Sequence, residues 1–172
     1  MDAFVQPLYE LADFDAIIRQ LKKPGIVQVS GCLDSQKAHF TNGLLREFPF
    51  RLIVAENDLK AKAFYEDFRL YDPEVLYYPA RDLIFYQADI HGNLLTRQRI
   101  QVLRALLERE EVTIVTSIDS CLDCLVPLAV WKEKVIKIRN DSEIDLDRMK
   151  RHLLELGYEG AAQVEVPGQF SI

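Results

Sequence analysis

The segment Ile26–Leu45 has the layout of a phosphate-binding loop: an apolar run, a Ser-Gly turn and a helix-forming stretch follow one another. The motif G-x-x-x-x-G-K-[ST] binds phosphate through backbone N–H groups and a lysine, and holds Mg²⁺ through its hydroxyl. Its four defining positions are occupied here by Gly31, Gln36, Lys37 and Ala38. Only the first glycine and the lysine of the motif are therefore retained.

Each replacement removes a feature that phosphate binding needs. Gln36 places a side chain where the backbone must approach the phosphates closely, and Ala38 has no oxygen for Mg²⁺. Asp34 lies inside the loop and would repel a triphosphate. These changes predict that the loop neither binds ATP usefully nor hydrolyses it. Two interpretations stay open, an ordinary strand–turn–helix unit and a decayed nucleotide site.

The composition is that of a globular protein, with 172 residues, 49% hydrophobic and 28% charged. This length suits one domain, or one domain and part of another. The net charge of -6 argues against generic DNA binding, which needs a basic surface. No apolar run approaches the roughly 20 residues of a membrane span, and no signal peptide is recognisable. Three cysteines, an odd number, are typical of reduced thiols, so we expect a cytoplasmic protein without membrane contact.

Strand-like and helix-like segments alternate through the first three quarters of the chain. The predicted strands are Ile26–Val29, Arg51–Glu56, Val75–Tyr78 and Val112–Ser117. Three predicted helices begin after Asp13, Gly31 and Asn57–Asp58, and a fourth, Arg97–Glu110, follows a long connection. Such alternation predicts an α/β domain with a parallel sheet, right-handed crossovers and helices on both faces. We assign residues 1–133 to this domain.

Beyond about Lys132 the pattern changes. Val135–Ile138 alternates with lysines and predicts an edge strand, Asp145 is placed to begin a helix that Gly157 ends, and Val164–Ile172 predicts a further strand. Residues 134–172 are therefore expected to be part of a small α+β domain. No turn or polar tail follows the last strand, so we expect the sequence to come from a larger protein.

Three other groups of residues could do chemistry. The connection Pro79–Leu95 is either functional or a small packed unit, and its polar members are Arg81, Asp82, Tyr86, Asp89, His91 and Asn93. The next helix carries Arg97, Arg99, Arg104 and Arg109, which predict either a solvated face or a contact with phosphate or protein. Its inward face is predicted to carry Ile100, Leu103 and Leu107.

The pair Cys121-x-x-Cys124 has the spacing of a metal or redox motif. A four-cysteine zinc site would need a second pair, and Cys32 is the only other cysteine. The apolar neighbours Leu122, Leu125 and Val126 predict that these thiols are buried. Metal or redox chemistry is therefore disfavoured from the sequence.

Long motifs of this chain resemble the N-terminal module of the bacterial transcription-repair coupling factor, Mfd. They are YPARDLIFYQADIHGNLL at Tyr78–Leu95, the arginine-bearing helix after it, VTSID at Val115–Asp119, and the ending that runs from Gly157–Tyr158 to Gln163–Phe170. A weaker resemblance is to the excision-repair helicase UvrB. That protein keeps an intact P-loop and a DNA-clamping hairpin in the region matching Pro79–Leu95, and this sequence carries neither signature.

The resemblance implies a degenerate P-loop, RecA/helicase-like domain similar to UvrB domain 1a, followed by part of a domain similar to UvrB domain 2, truncated at its C-terminal side. In Mfd this module recruits UvrA and contacts the C-terminal end of the same protein, which holds Mfd inactive. The ATP-driven DNA translocase and the RNA polymerase-binding domain lie downstream, so no cofactor, catalytic residue or metal is expected here. By position, the closest candidates for UvrA contact are Gln169, Phe170 and Ser171.

Two alternatives to a docking module stay open at this point. A residual nucleotide-binding domain would act through Lys37, and a DNA-contacting helicase-like domain would use Arg97, Arg99, Arg104 and Arg109. The first predicts ATP binding that depends on the lysine, and the second predicts DNA binding that falls steeply with salt.

Overall fold

The computed structural model describes residues 4–81, 89–136, 138–141, 143–166 and 168–172. The predictions for Asp82, Tyr86 and Pro167, and for the side chains of Asp89, His91 and Asn93, lie outside the described residues. The chain divides into two compact units, Met1–Leu125 and Val126–Ile172. In the described ranges, no helix is both long enough and apolar enough to cross a membrane.

The first unit is built on a parallel sheet of three strands in the order β1-β3-β2. Its elements are a 3₁₀ helix Gln6–Glu10, α1 Phe14–Leu21, α2 Asp34–Leu45, β1 Phe50–Ala55, α3 Asp58–Phe68, β2 Leu76–Tyr78, α4 Asp89–Glu108, β3 Val112–Ser117 and α5 Ile118–Cys121. β1 and β3 are in register from Phe50↔Val112 to Ala55↔Ser117. The predicted α/β class with a parallel sheet is confirmed.

The central strand β3 is buried along its whole length because helices cover both faces of the sheet. On one face Val115 packs in a cluster with Ala38 of α2 and Phe68 of α3. On the other face its neighbour Ile114 packs with Val102 of α4. Successive strand residues point to opposite faces, so a strand between two helical layers is buried on both. The polar Thr113 and Thr116 are accommodated because their hydroxyls donate to Asp72 Oδ2 and to the Tyr78 carbonyl.

The predicted strand at Ile26–Val29 is wrong. These residues form no regular element and pair with no strand among the described residues, and Ile26 is 99% exposed. β-Branched residues give a segment strand propensity, but a strand forms only beside a backbone that can pair with it. No turn is assigned at Ser30–Gly31 either, whereas helix α2 forms as expected.

Three further predictions for the first unit need correction. β1 is buried on one face only, because Phe50, Leu52 and Val54 are exposed on the other. α4 begins at Asp89 rather than at residue 97, so helix occupies the C-terminal half of the predicted long connection. Ile100, predicted to face inward, is 43% exposed.

The second unit contains α6 Leu128–Lys134, α7 Leu146–Glu155 and a parallel pair, β4 Glu159–Gly160 with β5 Gln169–Phe170. The Asp145 side chain accepts a hydrogen bond from the Arg148 N–H at 3.0 Å, which caps α7 as predicted. Gly157 ends this helix with a φ of 86°, a conformation that favours glycine.

Other predictions for the second unit do not hold. Helix α6 was not expected, and Val135–Ile138 forms no strand over its described residues. The strand expected at Val164–Ile172 is reduced to two residues, and Leu146 is 59% exposed rather than inside. That residues 134–172 belong to a UvrA-interaction domain stays a prediction.

Candidate functional site

The degenerate phosphate loop has a left-handed backbone conformation at Gly31 and enters α2 at Asp34. Gly31 has a φ of 87°, which lies in the left-handed region that residues with a Cβ rarely adopt. A Cβ added at this position would meet no atom within 4 Å, so conformation rather than space requires the glycine. The retained glycine of the motif thus serves the backbone conformation of the loop.

Three backbone N–H groups at the start of α2 donate within the first turn of the helix. The N–H groups of Gln36 and Lys37 donate to the Leu33 carbonyl at 2.9 and 3.2 Å. The side-chain Oε1 of Gln36 in turn accepts from the Leu33 N–H at 3.3 Å. A phosphate-binding loop keeps consecutive N–H groups free for its ligand. Here the glutamine takes the place that a phosphate oxygen would have.

The lysine of the motif is held by its own loop. Lys37 Nζ donates to Asp34 Oδ1 at 2.6 Å, and both side chains are largely exposed. This hydrogen bond, reinforced by charge attraction, raises the pKa of Lys37 and lowers the pKa of Asp34. The pair carries no net charge, so the loop presents no excess positive charge to a triphosphate.

The position of the motif hydroxyl lies in the protein core. Ala38 is 2% exposed and belongs to the cluster that includes Ala61 and Val115. A side chain here packs against α3 and the sheet and cannot reach a metal ion in solvent. Over the described ranges, no group of three or more His, Cys, Asp or Glu side chains could hold a metal ion.

The arginines of α4 differ sharply in their surroundings. Arg104 Nε lies 2.8 Å from Glu108 Oε2 on an exposed surface, and Arg109 Nη1 lies 3.2 Å from Glu74 Oε2. Arg97 is exposed. Arg99 is 6% exposed, so the predicted solvated face does not include it. The structure therefore does not place these arginines on one common basic surface.

Arg99 instead joins three segments at the carboxyl end of the sheet. Its Nη1 donates to the Pro79 carbonyl at 2.8 Å and lies 2.9 Å from Asp123 Oδ2. Its guanidinium also lies 4.2 Å from the ring centroid of Tyr78, within cation–π distance. Burial is the main cause that raises the pKa of Tyr78. The arginine thus fixes the end of β2 against the segment that follows α5.

Sequence reasoning missed both the burial of Arg99 and the role of Asp123. The signal for the burial was present, since Arg99, Val102 and Leu103 stand at i, i+3 and i+4 on the covered face of α4. No comparable signal identifies Asp123, because its partner lies 24 positions away in the sequence.

A cavity of about 810 Å³ lies at the amino ends of β1 and β3. Arg51 is partly buried there, with Nε donating to the Phe48 carbonyl at 2.6 Å and Nη1 3.6 Å from Asp72 Oδ2. Thr113 Oγ1 donates to the same carboxylate oxygen at 2.7 Å. The rest of the lining is also mixed in charge, so the cavity has no clear preference for an anion or a cation. These residues are Asn42, Arg46, Tyr71, Glu74, Arg109, Glu110, Glu111 and Val112.

Comparison with known proteins gives a consistent result. The transcription-repair-coupling factor of Bacillus subtilis is 29% identical over 177 residues, covering 100% of this chain and 15% of the relative. The predicted resemblance to the UvrB-like part of Mfd is confirmed. UvrABC system protein B of Treponema denticola is 28% identical, covering 91% of this chain and 22% of the relative. In Anaplasma phagocytophilum the same protein is 32% identical, covering 70% of this chain and 20% of the relative.

The chain spans 15%, 22% and 20% of the length of these three curated relatives. The matches to the first two cover 100% and 91% of the chain. No family model matches the sequence. This chain is similar to both protein types over the same segment, as is expected for the part of Mfd that resembles UvrB.

The candidate UvrA-contact residues have internal roles in the second unit. Phe170 is 8% exposed and packs beside Gly160, where an added Cβ would lie 3.7 Å from its ring. Gln169 Oε1 accepts from the N–H groups of Glu165 and Val166 at 3.1 and 3.4 Å. Ser171 donates to the Ala162 carbonyl at 3.1 Å. These residues hold the loop between β4 and β5, and their contact with UvrA stays a prediction.

The prediction that the thiols of the Cys-x-x-Cys pair are buried is wrong. Cys121 and Cys124 are both exposed, and the apolar neighbour Leu122 is 77% exposed. Helix α5 is only four residues long and ends at Cys121, so Leu122 and Cys124 lie beyond it, outside any helix or strand.

Proposed function

We propose that this chain is a non-catalytic interaction module of a transcription-repair coupling factor, which recruits UvrA and contributes to autoinhibition in transcription-coupled nucleotide excision repair. The similarity to Mfd and UvrB supports a role in nucleotide excision repair. The observation that carries the non-catalytic part is the state of the loop, in which Gln36 and Asp34 occupy the groups that a nucleotide would need.

In this proposal the chain has no ATPase activity of its own, and ATP is used only by a motor domain elsewhere in the full-length protein. RNA polymerase and DNA are bound by downstream domains of that protein. The C-terminal end of the same polypeptide is the intramolecular partner during autoinhibition, and the protein acts in the cytoplasm without a membrane partner.

Direct DNA contact through α4 is the weaker alternative. Arg99 is buried against Asp123, and the guanidinium groups of Arg104 and Arg109 lie beside carboxylates. DNA binding requires several unpaired cations that replace the counterions of the phosphates. The net charge of -6 adds a further electrostatic cost.

The decisive experiment is a titration of purified UvrA against two forms of the protein, residues 1–172 and a form that continues through the rest of the second domain. We expect saturable binding by the longer form and weaker or no binding by residues 1–172. Absence of binding by both forms would refute UvrA recruitment. Substituting exposed Leu70, which lies in the first unit, with Ser provides a control for loss of a surface contact outside the second unit.

Nucleotide binding is tested separately. We expect residues 1–172 and their Lys37→Ala variant to show the same absence of MgATP binding in calorimetry, because Lys37 is paired with Asp34. Saturable ATP binding that is lost in Lys37→Ala would favour the residual nucleotide site instead.

A further inference from the structure

The two exposed cysteines flank an aspartate that belongs to the buried arginine network. Cys121 is the last residue of α5 and Cys124 follows three positions later, with both thiols accessible to solvent. Asp123 Oδ2, between them in sequence, lies 2.9 Å from Arg99 Nη1 and 3.9 Å from Arg81 Nε. A change at the thiols therefore acts next to the main carboxylate partner of a buried cation.

The backbone between the cysteines already turns. The Asp123 N–H donates to the Ser120 carbonyl at 3.4 Å, Leu122 lies in a turn and the chain bends at Asp123. That turn runs from Ser120 to Asp123, so Cys121 lies within it and Cys124 directly follows it. Two cysteines three positions apart with a bend between them favour an internal disulfide, as in Cys-x-x-Cys redox motifs.

The network beside the turn is only partly satisfied. Among the described residues, Arg99 Nη2, Asp123 Oδ2 and the Tyr78 hydroxyl are buried without a hydrogen-bond partner, although Asp123 Oδ2 lies at ion-pair distance from Arg99. A buried polar network with open donors is held by few contacts and is sensitive to the loss of one of them. Closing a disulfide draws the two Cβ atoms to about 3.8 Å and rotates the residues between them. Asp123 would then move relative to Arg99.

We propose that Cys121 and Cys124 form a reversible disulfide whose closure weakens the Asp123–Arg99 ion pair and loosens the segment after β2. The oxidant is a low-molecular-weight disulfide of the glutathione class. One thiolate attacks its sulfur and releases one thiol, and the second cysteine thiolate then displaces the other. The protein loses two protons and two electrons, and the oxidant is reduced to two thiols. This inference does not depend on UvrA binding.

The test is incubation of the protein with oxidised glutathione, followed by acid quenching, alkylation and peptide mass spectrometry. We expect an internal Cys121–Cys124 disulfide that dithiothreitol reverses. Cys32 is the control, since Cys32→Ser should leave the disulfide unchanged while Cys121→Ser abolishes it. Mixed glutathione adducts at Cys121 and Cys124 without any internal disulfide would overturn the proposal.

Hydrogen exchange tests the coupling to Arg99. The reporter is the Ala80 amide, which donates to Asp58 Oδ1 at 3.1 Å and follows the carbonyl that Arg99 holds. In the wild type, oxidation should speed its exchange by roughly tenfold or more, because the arginine that holds Pro79 loses its carboxylate and the segment loosens. In Asp123→Ala this amide should already exchange rapidly and should not respond to oxidation. A disulfide that forms without changing exchange at the Ala80 amide in the wild type would refute the coupling.

Discussion

Replacing Arg99 by methionine should destabilise the first unit by about 3 kcal/mol. The substitution keeps most of the side-chain volume but removes the bond to the Pro79 carbonyl, the ion pair with Asp123 and the stacking on Tyr78. A charged hydrogen bond contributes about 1.5–3 kcal/mol, and leaving a buried partner unpaired costs about 3–5 kcal/mol. These contributions overlap, and Asp123 is 28% exposed and regains some hydration, so the lower end of the range is expected.

Arg104→Met is the matched control, because it makes the same change on the same helix. Its guanidinium lies 2.8 Å from Glu108 with 74% of the side chain exposed, and such pairs contribute about 0.5 kcal/mol or less. Urea unfolding followed by far-UV circular dichroism measures both losses. Equal losses in both variants, or a loss below about 1 kcal/mol for Arg99→Met, would refute the reasoning.

Three further substitutions have defined outcomes in the same unfolding assay. Gly43→Ala should cost about 1–3 kcal/mol because its Cβ would overlap the Leu8 side chain, and an unchanged midpoint would contradict this packing. Asn57→Ala should cost about 1 kcal/mol because the Lys60 N–H loses its 2.9 Å cap, whereas Asn57→Asp should retain the cap. Burial raises the pKa of Tyr77 from its usual 10.0. The contribution of the neutral Tyr77 to the free energy of unfolding is therefore complete below pH 10 and declines as the pH rises above 10. Tyr77→Phe should remove this decline between about pH 10 and pH 11.

The elements that sequence predicts well are those decided by neighbouring residues. Val112–Ser117 was predicted with its observed ends, because a short run of β-branched residues is typical of a strand covered on both faces. The cap residues Asn57 and Asp145 were also identified, since each bonds to a backbone N–H only three positions ahead. In these cases the interaction that fixes the structure is contained in the segment itself.

The features that sequence missed depend on distant partners. Arg99 is buried because Pro79 and Asp123, 20 and 24 positions away, supply its acceptors. Ile26–Val29 has strand-forming residues but no paired neighbour among the described strands. Exposure of the two cysteines follows from where α5 ends against the sheet, which no local pattern encodes.

Single substitutions that restore the phosphate-binding motif would each lower the stability of the loop. Gln36→Gly would leave the Leu33 N–H without its side-chain acceptor and would lower helix propensity by about 1 kcal/mol. Ala38→Ser would place a hydroxyl in a site that is 2% exposed, at a cost of about 1–3 kcal/mol unless it finds a partner. Each step lowers stability before the full set of phosphate contacts exists to offset it. The loop is therefore stable as a helix start without a nucleotide, which agrees with the non-catalytic role proposed above.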